Sequence, residues 1–130
     1  MQEKERRAWV AVLAVLVAVT FLGLTALAAA IDARFVGTYR GQFIGEQDYG
    51  TFVLAINAEG VILGAGMSTT REVPLSYSGI CNPDGTLAFA TVDGLMNFTG
   101  SIDWMNRISG KWARADESAR GSFGGVMQKQ

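Results

Sequence analysis

Five times between residues 39 and 127, a glycine stands midway between two apolar residues that are four apart. The trios are Tyr39-Gly41-Phe43, Tyr77-Gly79-Cys81, Phe98-Gly100-Ile102, Ile108-Gly110-Trp112 and Phe123-Gly125-Met127. In a strand, residues i, i+2 and i+4 share a face, so each trio forms one row on one side of a sheet. The residues between them are often polar: Thr38, Arg40 and Gln42; Ser76 and Ser78; Ser109 and Lys111. That alternation marks one dry and one wet face. A glycine in the dry row leaves room for a ring from a neighbouring strand and lets its own strand bend, as a strongly curved sheet or small closed barrel requires.

The chain beyond Ala30 is therefore expected to be mainly β, a small antiparallel meander of about eight strands in one extracytoplasmic domain, residues 31–130. Period-two segments place strands near 36–44, 49–57, 61–66, 74–81, 86–92, 95–103, 107–113 and 119–127. Turn chemistry separates them at Asn57-Gly60, at Asn82-Gly85, at 92–94 and at 103–107. The second of these is the strongest, because Pro83 presets φ and Gly85 can take the positive φ that closes a hairpin. Two longer segments, 66–73 and 113–120, carry Ser, Thr and charge without a core pattern and read as exposed loops. About 100 residues can build only a small core, so the bulky trios are expected to fill the interior rather than line a cavity.

Residues 39–52 resemble one MORN unit, through Tyr-x-Gly-x-aromatic and later glycines. The trio leaders, however, are 38, 21, 10 and 15 residues apart, and a repeat array needs a fixed period.

Ahead of the domain, residues 8–30 contain no charge. As a helix this segment would be roughly 34 Å long, enough to cross a hydrocarbon core of about 30 Å. A cleavable signal peptide ending at Ala30 is the competing reading, but its apolar region usually runs only about 7–15 residues, so a retained transmembrane helix is expected. Lys4, Arg6 and Arg7 precede the span, which keeps residues 1–7 in the cytoplasm as a short tail and the β domain outside, periplasmic or extracellular. Trp9 falls where an interfacial aromatic sits. Gly23, Ala26 and Ala30 lie among small residues that let one helix approach another closely. Only about five residues separate Ala30 from the first strand, a tether of at most roughly 18 Å.

Chemistry is sparse. The chain has no histidine and one cysteine, which removes Ser-His and Cys-His nucleophile pairs, zinc spacing and any intrachain disulfide. Cys81 reads as a small buried strand residue. The carboxylate pairs Glu46 with Asp48 and Asp116 with Glu117 read as solvated turn residues. Residues 31–130 hold eight Lys/Arg against ten Asp/Glu, a net charge of −2 with both signs scattered, so nucleic acid is not an expected partner. No catalytic, cofactor-binding or metal-binding residue is assigned, and no cofactor is expected. Trp104 and Met105, in or beside a turn, suit a protein interface or the headgroup region if exposed and are ordinary core if folded back over a barrel end, and with Arg34 they are the expected interface residues.

These readings converge on a non-enzymatic, single-span accessory subunit of a larger integral membrane complex. The alternative is a secreted or periplasmic β-barrel that binds a small apolar ligand, and an enzyme using loop carboxylates ranks last.

Overall fold

A computed structural model describes residues 30–129. Eight strands follow one another as β1 (Gly37–Gly45), β2 (Tyr49–Ile56), β3 (Val61–Ser68), β4 (Val73–Cys81), β5 (Thr86–Thr91), β6 (Met96–Ile102), β7 (Arg107–Arg114) and β8 (Arg120–Met127). Each pairs antiparallel with the next, and β1 also pairs with β8, which closes the barrel. The expected meander is thus a closed barrel, and it leaves no open sheet edge. The expected transmembrane segment, 8–30, lies outside the described residues except for Ala30. Among the described residues no helix is long and apolar enough to cross a membrane.

The register explains the glycines. Large inward side chains stand opposite glycine on the adjacent strand: Phe52 faces both Gly41 and Gly66, Phe89 faces Gly79, Phe123 faces Gly110, and Trp112 faces Gly121. Each ring spreads over backbone that carries no Cβ. Gly41 itself meets Gly125 across the β1–β8 seam, and Gly100 meets Gly110 between β6 and β7.

The rings meet on the barrel axis. Phe89 and Phe98 stack at 4.5 Å with planes 7° apart. Phe123 meets both edge-on at 5.4 and 5.6 Å, and Phe43 meets Phe98 and Trp112 in the same way. Edge-to-face and offset pairs suit the ring quadrupole and add to the burial of apolar area. The polar tips are satisfied by backbone carbonyls: Tyr39 Oη donates to Phe35 O at 2.9 Å, and Trp112 Nε1 to Ile44 O at 3.1 Å.

Among the described residues, acidic side chains are confined to turns and the entry segment, and none occurs in a strand. Five of the aspartates serve there as backbone acceptors. Asp84, Asp93, Asp103 and Asp116 each accept from the amide two residues on, the side-chain mimic of a backbone turn. Gly60, Gly85 and Gly94 take positive φ at the ends of their turns, and Asn106 fills that role in the β6–β7 turn with φ 56°.

Three expectations need correction. The loops expected over 66–73 and 113–120 are shorter, because β3 continues to Ser68 and β7 to Arg114. The tether, read only as a linker of limited reach, is a folded part of the domain: Ile31 is buried, a 3₁₀ helix spans Ala33–Phe35, and Phe35 is 1% exposed. Asp48, read as solvated, is fully buried.

The glycine argument predicts a contrast within one barrel. A Cβ at Gly41 would run into the Gly124 carbonyl oxygen and the Phe52 ring, whereas one at Gly124 meets only the Ile108 oxygen, at 3.7 Å. Gly41→Ala is expected to cost about 3 kcal/mol by overpacking, and Gly124→Ala less than about 0.5 kcal/mol. Chemical denaturation of both variants checks this.

Candidate functional site

Because the chain is a simple meander, its turns alternate between the two barrel mouths. The entry mouth carries residues 30–36 and the β2–β3, β4–β5 and β6–β7 turns. The far mouth carries the β1–β2, β3–β4, β5–β6 and β7–β8 turns.

At the far mouth four elements converge on one carboxylate. Asp48, from the β1–β2 turn, accepts from Ser68 Oγ at 2.7 Å and from Arg114 Nη2 at 3.0 Å, and Arg71 Nε lies 3.2 Å away. The two arginine side chains are 31% and 24% exposed, whereas the Asp48 side chain is not exposed at all. Burial alone would raise the Asp48 pKa, but the Ser68 and Arg114 hydrogen bonds and the Arg71 charge hold it below the ordinary carboxylate value. The carboxylate is therefore ionised at neutral pH with its oxygens engaged, which makes it a poor general base. The cluster ties the end of β3, the β3–β4 turn and the end of β7 to the β1–β2 turn. It closes this mouth.

Sequence parity carries a signal for this cluster. Asp48 shares the parity of Phe52 and Leu54, and Arg114 that of Ile108 and Trp112, so both project to the inner side of the wall. Ser68 continues the inward row of Ile62.

At the entry mouth the structure brings together the three expected interface residues that are described. Ile31 N donates to Ala58 O in the β2–β3 turn at 3.0 Å. Three residues on, the Arg34 carbonyl accepts from the Asn106 side chain in the β6–β7 turn. The entry segment thus crosses the mouth and covers it with Ile31 and Phe35. The Arg34 guanidinium lies 4.6 Å from the Phe35 ring centroid and 3.6 Å from Asp32. Trp104 and Met105 form the tip of the β6–β7 turn, 77% and 51% exposed. Of the two readings, fold-back over the barrel end is excluded. Asp103 holds this tip by accepting from the amides of Met105 and Arg107 and from Arg107 Nε. Ala30 is exposed beside the β2–β3 turn, while Trp9, Gly23 and Ala26 lie outside the described residues.

The other titratable groups sit within the fold. Cys81 is buried, and burial together with the Asp84 charge pushes its thiol up to about 11. Burial likewise raises the Tyr39 and Tyr77 hydroxyls. Glu46, Asp116 and Glu117 remain exposed in turns. Among the described residues, no three acidic or thiol groups come together as a metal-binding set. Two concave surfaces lie outside the wall, one over the β8–β1–β2 face between Arg40, Ile44 and Ser122, the other beside Val36 and Met127. No protein-family model matches the chain, and no curated protein matches it in sequence.

Three outcomes follow. Asp48→Ala strands two cations against the barrel end and is expected to cost about 3 kcal/mol, the lower part of the range for broken buried pairs because both arginines keep water contact. Since the folded pKa of Asp48 is depressed, its stabilisation is full above the unfolded carboxylate range and is lost as pH falls through the folded value. Asp48→Asn should flatten the acid limb of a stability–pH curve. Cys81 should resist a maleimide in native buffer at pH 7 and react within minutes in denaturant, as thiol mass-labelling would read.

Proposed function

We propose that this protein is a non-enzymatic, single-span accessory subunit of a larger integral membrane complex. Residues 8–30 serve as its retained membrane helix, and the barrel packs on the extracytoplasmic face of its partner. The observation that carries the reading is the outer wall from β2 to β6, which bears no charged side chain. Along β3 that wall exposes Leu63, Ala65 and Met67, with Leu63 61% and Met67 43% accessible. Ala55 stands opposite Leu63 and Val53 opposite Ala65 on β2, and Pro74 opposite Met67 on β4, with Ser78, Ser76 and Thr51 on the other side of each, so the apolar strip is two strands wide at each level. The strand charges lie elsewhere: Arg40 on β1, Arg107, Lys111 and Arg114 on β7, and Arg120 on β8.

An uncharged, apolar strip is the composition expected of an interface centre. The entry segment supports the membrane half of the proposal, because Ile31 is stitched to the barrel one residue after the uncharged run ends. A barrel joined that closely to a membrane helix stays beside whatever surrounds that helix. The alternative of an apolar ligand inside the barrel loses ground to the ring stack on its axis. Catalysis by loop carboxylates loses ground to the turn roles that Asp84, Asp93, Asp103 and Asp116 already perform.

Extraction of the full chain from its native membrane in mild detergent is expected to recover it at full length in a larger assembly. Met67→Lys, at an exposed position, should leave the fold intact and weaken that association by about 2 kcal/mol, roughly thirtyfold. A soluble monomer beginning near Ile31 overturns the proposal.

A further inference from the structure

The entry mouth has two features on opposite sides. Turns β2–β3 and β6–β7 are separated by half the circumference of an eight-strand ring. The entry segment spans this gap, bonded at Ile31 to the first turn and at Arg34 to the second. The uncharged run 8–30 therefore ends at one rim, beside Ala58. On the opposite rim the β6–β7 turn presents Trp104 and Met105 to solvent.

Nothing in the hairpin requires that pair. The turn is held by Asp103 as acceptor and by the positive φ of Asn106, and the tip residues could be any polar pair. The equivalent tips at this mouth carry Ala58 with Glu59 and Pro83 with Asp84. Indole is the side chain best suited to the layer between lipid headgroups and acyl chains, with an apolar ring and one N–H donor. The two nearest charges on the turn neutralise each other, Arg107 Nε lying 2.9 Å from Asp103 Oδ2. The tip can therefore approach a lipid surface without carrying net charge into it.

We infer that the Trp104–Met105 turn is a second membrane contact, inserting into the interfacial layer of the outer leaflet while the chain itself enters the bilayer from the opposite rim. This rests on the membrane-anchor reading of residues 8–30. One covalent tether would let the barrel swing about Ile31. A second contact across the mouth fixes the barrel axis and turns the entry mouth to the lipid. It presents the uncharged β2–β6 wall sideways, toward a neighbour in the same membrane. The far mouth, with the Asp48 cluster, then faces the aqueous side.

The test uses the full-length chain in phosphatidylcholine vesicles, with Trp9→Phe so that only Trp104 and the buried Trp112 emit. Trp112 supplies a constant background, obtained from the further variant Trp104→Phe. The Trp104 component is expected to be blue-shifted and quenched about twofold by phosphatidylcholine brominated on its acyl chains. Leu95→Trp in the Trp9→Phe, Trp104→Phe background marks the far mouth and should remain open to aqueous iodide. If carbonate-resistant, membrane-embedded chain shows Trp104 unquenched by bromolipid and open to iodide, the second contact is refuted while the anchor stands. Shielding from iodide without bromolipid quenching also refutes it, and assigns the turn to a protein neighbour. Chain released by carbonate refutes anchor and contact together.

Discussion

Everything in this barrel depends on placing a ring against a bare strand. An eight-stranded antiparallel barrel has an interior only wide enough for side chains, and here six phenylalanines, two tyrosines and one tryptophan are buried with their aliphatic neighbours. They fit because Phe52, Phe89, Phe123 and Trp112 each face a glycine across the ladder. The glycines forgo β propensity and side-chain packing at their own positions. The gain is a dense aromatic core in a domain of about 100 residues, for which core volume is the limiting resource.

A full interior moves the business of the molecule to its ends and its wall. The two mouths are closed by different physics. At one, apolar chain covers the opening through Ile31 and Phe35; at the other, a buried carboxylate gathers a hydroxyl and two guanidinium groups from two strand ends and a turn. The apolar plug couples the barrel to the segment that precedes it. The ionic cluster couples hairpins that are remote in sequence, Asp48 and Arg114 being 66 residues apart, and makes barrel closure sensitive to acid.

Charge is sorted by the same logic. Among the described residues, carboxylates keep to turns and the entry segment, where Asp84, Asp93, Asp103 and Asp116 accept from backbone amides, and strand cations gather on β1, β7 and β8. What remains is a broad neutral wall from β2 to β6. Its Leu63 and Met67 lie outside the core, 61% and 43% exposed. The neutral wall and the Trp104 turn are surfaces whose composition folding alone does not explain.

Much of this architecture was legible along the chain. Strand periodicity, the trios and turns such as Asn82-Gly85 are local patterns, because side chains alternate at every second residue and a hairpin is closed by its own four residues. The uncharged run 8–30 and the missing histidine are likewise plain in one dimension. Three features depended on the closed ladder. Asp48 reads as a solvated turn residue until the register sets Ser68, Arg71 and Arg114 around it. The short tether shows only its maximum reach until a barrel mouth exists for Ile31 and Phe35 to fill. Trp104 could belong to core or surface until that mouth is already plugged, which leaves it outside. Local sequence determines which face a residue takes; only closure determines what lies across from it.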